Sequence, residues 1–116
     1  MGKSFELAHV GLNLENVEEA QSVAERLAAL FQLSVRQGKK SVFAGSYFEC
    51  MREPFLGEKG HIAMCTDNLA ETVEELKEKG YSFREETAIH DEDGKLMNIY
   101  LAEEFGGFAI HILQKK

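Results

Sequence analysis

The chain repeats itself. HVGLNLENVEEA, from His9, aligns with HIAMCTDNLAET, from His61, at an offset of 52 residues. The offset carries Val10 onto Ile62, Glu15 onto Asp67, Asn16 onto Asn68, Val17 onto Leu69 and Glu19 onto Glu71. Similar segments build similar units, so whatever one copy folds into, the other should fold into as well. This restricts the fold more than any other feature of the sequence.

Each copy opens with alternating apolar residues, the period of a strand, and then changes to helical spacing. The helix starts have a local cause. Asn16 and Asn68 are N-cap residues, each with a glutamate three positions on (Glu19, Glu71) to complete a capping box. Ala20, Val23, Ala24, Leu27, Ala28 and Phe31 make one apolar stripe, and Leu69, Val73 and Leu76 make another. Gly80 reads as the stop of the second helix. Three strand-like runs follow each helix: LSVRQ, KSVFAG and SYFECMR in the first half, YSFREETAI, KLMNIYLAE and FAIHILQ in the second. Gly38-Lys39, Asp93-Gly94 and Gly106-Gly107 are the turn residues between them. The expectation is an α+β fold of two βαβββ modules with mixed sheets, in a single domain over 1–116. The modules span 5–53 and 61–115, and PFLGEKG (54–60) links them.

The repeat also closes at its far end. YFECM (47–51) matches AIHIL (109–113), with Glu49 falling on His111 at an offset of 62. The ten extra residues belong to the hairpin AIHDEDGK and the turn EEFGG.

Strand alternation sorts these residues by face. Ala8, Val10 and Leu12 oppose Leu7, His9, Gly11 and Asn13. Ile62 and Met64 oppose His61, Ala63 and Cys65. Phe48 and Cys50 oppose Tyr47, Glu49 and Met51, and Phe108, Ile110 and Ile112 oppose Ala109, His111 and Leu113. The apolar side should carry the helices. The other side gathers His9, Glu49, His61 and His111 at repeat-equivalent places. Three imidazoles and a carboxylate are donors that Zn, Ni, Mn, Fe or Co would accept. Tyr47, Asn98 and Tyr100 are candidates for the substrate pocket, and Arg52 and Arg84 for a carboxylate or phosphate. His90 abuts HDEDGK and reads as a solvated loop residue. That stretch lacks the later ligands and closing glutamate of a calcium loop.

Charge and composition exclude other classes. The formal net charge is −7, with 44% hydrophobic and 28% charged residues. Only Lys39-Lys40 and Lys115-Lys116 cluster basic charge, so neither a nucleic acid nor an anionic membrane is expected as partner. No apolar run approaches a membrane span, and MGKSFELAHV lacks a signal-peptide apolar region, which makes a cytoplasmic location the expectation. Cys50 and Cys65 fall on opposite faces and read as free thiols.

This pattern resembles the vicinal oxygen chelate superfamily of glyoxalases, bleomycin-resistance proteins, extradiol dioxygenases and methylmalonyl-CoA epimerases. The resemblance covers essentially the whole chain. It rests on the paired modules, on strands HVGL and HIAM opening each half with a histidine, and on Glu49 closing the first. FGGFAIHI stands where the family often has an Asp-Pro-x-Gly turn. The resemblance implies an open half-barrel, a divalent metal on His9, Glu49, His61 and His111, a small-molecule substrate, and a homodimer. One departure is that the family usually closes the second half with glutamate, where this chain has His111. The phrases AHVG, FAG and GGFA are also similar to the small domain found beside some 2-keto-3-deoxy-6-phosphogluconate aldolases.

The family's isomerases and lyases grip two substrate oxygens with the metal and move a proton with a carboxylate, so the resemblance makes Glu49 the candidate catalytic base. Three neutral histidines and one glutamate around a divalent ion leave a net charge of +1, which favours an anionic keto- or hydroxy-acid. Three functions are therefore expected in order: a metal-dependent lyase or isomerase, a non-catalytic ligand-binding or aldolase-associated module, and a metal-dependent oxygenase.

Overall fold

A computed structural model describes residues 4–116. The elements are β1 (Phe5–Asn13), α1 (Val17–Phe31), β2 (Val35–Gln37), β3 (Ser41–Ala44), β4 (Phe48–Met51), β5 (Gly60–Thr66), α2 (Leu69–Glu78), β6 (Phe83–His90), β7 (Leu96–Phe105) and β8 (Phe108–Gln114). Each half is strand, helix and three strands. The eight strands form one open mixed sheet in the order β2-β3-β4-β1-β5-β8-β7-β6. In each half the opening strand pairs in parallel with the closing strand, β1 with β4 and β5 with β8. The halves join where β1 and β5 run antiparallel at the centre of the sheet. The fold is a half-barrel of glyoxalase-like type.

The helix starts follow the capping logic. The Asn16 side chain accepts from the Glu19 N–H at 2.8 Å, and Asn68 accepts from the Glu71 N–H at 3.2 Å. The return arm of the first box lands one residue early, with Glu19 accepting from the Glu15 N–H instead of that of Asn16. The second helix has a third cap that local sequence does not reveal. Gln114, at the end of β8, accepts from the Leu69 N–H and donates to the Asp67 carbonyl. At its other end Gly80 N–H reaches the Lys77 carbonyl and Tyr81 N–H the Leu76 carbonyl, a Schellman closure. Helix α1 ends without a glycine, on Gln32 in the left-handed conformation (φ 59, ψ 47).

Both helices lie on one side of the sheet, each over its own small core. Ala20 and Ala24 bring α1 close to Val42 and Cys50. Leu69 and Val73 of α2 pack on Phe83, Ile99, Leu101 and Ile112. Helix α2 is shorter and leaves part of its side open, as an apolar groove lined by Phe5, Met64, Leu76, Tyr81, Phe105 and Ile110 among others.

Alternation in β1 is broken once. Leu7 pairs with Met64 and His9 with Ala63, so two steps on β1 match one on β5 and Ala8 forms a bulge. Leu7 therefore shares a face with Met64, on the helix side, and not with His9 as unbroken alternation predicts. Downstream of the bulge the expected facing holds. His90 ends β6, exposed, and is not a loop residue. Both cysteines are free. No helix among the described residues is long and apolar enough to cross a membrane.

Candidate metal centre

Residues paired directly across neighbouring strands share a face. On the face opposite the helices, the registers compose two rows. One runs His61, Gly11, Glu49, Phe43, Arg36 across β5-β1-β4-β3-β2. The other runs His9, Ala63, His111, Tyr100, Arg84 across β1-β5-β8-β7-β6. Each row reads histidine, small residue, ligand-type residue, aromatic, arginine. The repeat is thus written into the sheet as well as the sequence, and the rows meet at the β1–β5 seam.

At that seam Glu49 meets His9 and His61, and the three histidines draw together, within one chain. Glu49 Oε1 lies 3.1 Å from His61 Nε2 and 3.2 Å from His9 Nε2, and the two Nε2 atoms are 3.3 Å apart. His9, His61 and His111 each offer a nitrogen, all within 4.8 Å of one another. Gly11 makes this possible. A Cβ at residue 11 would overlap Cε1, Nδ1 and Nε2 of His61, so the ring occupies the space of the missing side chain. His61 is almost fully buried. Tyr100 stacks on the His111 ring, centroids 4.4 Å apart and planes 9° from parallel, and Phe43 meets His9 edge-on.

The electrostatics follow from burial and hydrogen bonding. Burial by itself raises the Glu49 pKa. Hydrogen bonds from His61, His9 and the Ser41 hydroxyl more than offset this and hold the carboxyl well below its usual range. His111 is pushed down to about 3, chiefly by burial, with His61 and His9 adding to the effect and Glu49 opposing it. Its imidazole is neutral at neutral pH. Burial, with Glu49 nearby, pushes Tyr100 up to about 12.

A transition metal fits this arrangement. Bonds of about 2.0–2.1 Å from such an ion separate its ligands by about 3.0 Å at a right angle and about 3.4 Å at a tetrahedral one. The three mutual distances around Glu49 Oε1 fall in that interval. His111 adds a second argument. Both its ring nitrogens are buried without a hydrogen-bond partner, which is costly for a polar ring. A metal would give one of them a partner.

The remaining candidates divide. Tyr100 is in the site, and buried Asn98 lines the same cleft, its amide donating to the Thr87 carbonyl at 3.0 Å. Tyr47 stands apart, more than half exposed, with its ring against Phe48. Arg52 is committed elsewhere: its guanidinium donates to the Gly38 and Lys39 carbonyls and to the Gln37 side chain, clamping the β2–β3 turn. Sequence reading missed Ser41, Phe43 and Phe55. Ser41 and Phe43 alternate with apolar Val42 and Ala44, so a polar residue on the ligand side of β3 was the available clue. Phe55 had none. It reaches the site because Asn13 holds the linker, accepting from the Phe55 N–H and donating to the Gly57 carbonyl. The Phe55 ring then meets Tyr100 edge-on.

No protein-family model matches the sequence, and no curated protein does. Solved structures do. A hypothetical protein of Bacillus halodurans C-125 is similar over 98% of this chain and 96% of its own, with 19% identity and a TM-score of 0.64. A mutant of 4-hydroxymandelate synthase from Streptomyces coelicolor is similar over 97% of this chain, with 18% identity and a TM-score of 0.63. This chain spans 49% of the synthase. At these identities the likeness concerns the fold. Three of the chain's histidines could hold a metal ion.

Proposed function

We propose that the chain is a divalent-metal-dependent enzyme of lyase or isomerase type, acting on a small keto- or hydroxy-acid. The observation that carries this is the set of three mutual distances, 3.1, 3.2 and 3.3 Å, among His61 Nε2, His9 Nε2 and Glu49 Oε1. His9, Glu49, His61 and His111 would hold the ion. When bound, it supplies Lewis-acid stabilisation of negative charge on substrate oxygens. Tyr100 and Asn98 line the cleft beside His111 and orient the substrate. Phe55 adds apolar surface to the cleft. Glu49 is the proton acceptor. Its Oε2 accepts from Ser41 and its Oε1 serves both imidazoles, so it must give up one of these partners before taking a proton. The synthase that shares the fold is named for its product, 4-hydroxymandelate, a 2-hydroxy acid, so a protein of this fold does form a compound of this class.

The same observation about Glu49 favours a second reading, a non-catalytic ligand-binding module. Both carboxylate oxygens are engaged, and His111, whose burial lowers its affinity for a proton, is a weak substitute base.

Metal content measured by mass spectrometry, on protein purified without chelator or affinity tag, tests the centre. About one equivalent of a transition metal per chain is expected, falling by tenfold or more in His61→Ala. No metal in either protein would sink the metal reading. Turnover of a keto- or hydroxy-acid that is lost in Glu49→Gln separates the enzyme from the binding module.

A further inference from the structure

A cleft of about 480 Å³ opens beside the metal centre. His111 and Tyr100 line it, Phe55 and Ile89 give it apolar surface, and Lys40 and Arg84 bring two cations to it from opposite halves of the chain. Arg84 belongs to the row that contains Tyr100 and His111, two strands from His111. At about 4.8 Å per strand its Cα is about 10 Å from that of His111, within reach of a long side chain and a small ligand together. Lys40 Nζ sits 5.9 Å from the Phe55 ring centroid and has no acidic partner among the described residues. Arg84 pairs with Glu86 at 3.3 Å, but both side chains are largely exposed (43% and 69%), so the pair is weak and exchangeable. Glu86 is the acidic residue lining the cleft, which leaves it net positive in a chain of net charge −7. The corresponding arginine of the other row, Arg36, is stacked on Phe43 at 4.2 Å.

We infer that the ligand is a two-ended acid. Its keto- or hydroxy-acid head lies at His9, Glu49, His61 and His111. Its other end is a second anionic group, a carboxylate or a phosphate, held between Lys40 and Arg84. The inference rests on the metal-centre reading and specifies the substrate of that site. An Arg fork and a Lys ammonium lining one cleft suit a terminal oxyanion, and the apolar surface of Phe55 and Ile89 in the same cleft suits a short hydrocarbon link.

Calorimetry tests it in two stages. Zinc is titrated first into metal-free protein. 2-Oxoglutarate, 3-phosphoglycerate and 2-oxovalerate are then titrated into the zinc-loaded protein. The first two carry a second anion, a carboxylate and a phosphate respectively; the third does not. At least one of the two-ended acids should bind about tenfold or more tightly than 2-oxovalerate, a difference of about 1.4 kcal/mol. Which one does so identifies the terminal group. In the double variant Lys40→Met, Arg84→Met the preference should shrink to about twofold or less, while Lys79→Met, at the C-terminal cap of α2 and outside the cleft, should retain it. Equal affinities, a preference that survives the double variant, or no binding of any acid to zinc-loaded protein would overturn the inference and leave the metal centre standing. Failure to take up zinc in the first stage would overturn both.

Discussion

His61 occupies the space that a side chain on Gly11 would fill, and this contact sets the spacing of the donor atoms. Gly11→Ala should push the imidazole away from Glu49. We expect about a 10- to 100-fold loss of metal affinity and about 1–3 kcal/mol of stability, read by competition with a chromophoric chelator and by urea unfolding. The buried His111 makes a pH prediction for the metal-free protein. Its pKa is about 3 when folded and near 6.5 when unfolded, so between these values the unfolded chain binds the extra proton. Stability is therefore full above about pH 6.5 and falls as the pH drops towards 3. Between pH 7.5 and 5.5 this one group should remove about 1.4 kcal/mol. Urea titrations at both pH values, in chelator, should show a shallower loss for His111→Phe, which has no proton to take up. An equal loss in the variant would assign the effect to other groups.

At the scale of the elements, the two helices are stopped by different means, and only one of them is strained. Gln32 holds a left-handed conformation that glycine adopts at no steric cost. Gln32→Gly should stabilise the protein by about 0.5–1 kcal/mol, seen as a higher urea midpoint at unchanged slope. At the other end of α1, Asn16→Ala removes the acceptor for the Glu19 N–H and should cost about 1 kcal/mol. These elements were legible because their causes are local: caps, stripe and stop lie within a few residues of one another. The Gln114 cap on α2 was not legible, because its partner lies 45 residues away. Nor was the Ala8 bulge, because a bulge is a property of a pair of strands and alternation in one strand gives no sign of it.

For the whole molecule, we propose a homodimer, on the strength of the family resemblance. The apolar groove left by the short α2, with Phe5, Tyr81 and Phe105 exposed, is where a second copy would bury the most apolar surface. Sedimentation velocity should give a dimer, and Phe105→Glu should shift it to monomer. A monomeric wild type would refute the proposal, and a dimer indifferent to Phe105→Glu would move the interface elsewhere. His9, His61 and His111 come together within one chain, so metal uptake by a monomeric variant is expected to persist.

The sequence by itself determined the doubled module, the helix ends and the face on which most residues lie, that of His9, Glu49, His61 and His111 included. All of these follow from periodicity and from the 52-residue repeat, which is a property of the chain alone. Tertiary structure decided which strands became neighbours. The antiparallel join of β1 to β5 brings His9 and His61 within 3.3 Å across 52 residues of chain. It also aligns Gly11 beneath the His61 ring and brings Lys40 and Arg84 to one cleft. Distances of this kind depend on sheet register and twist, which arise from the packing of both halves together and are absent from either half alone.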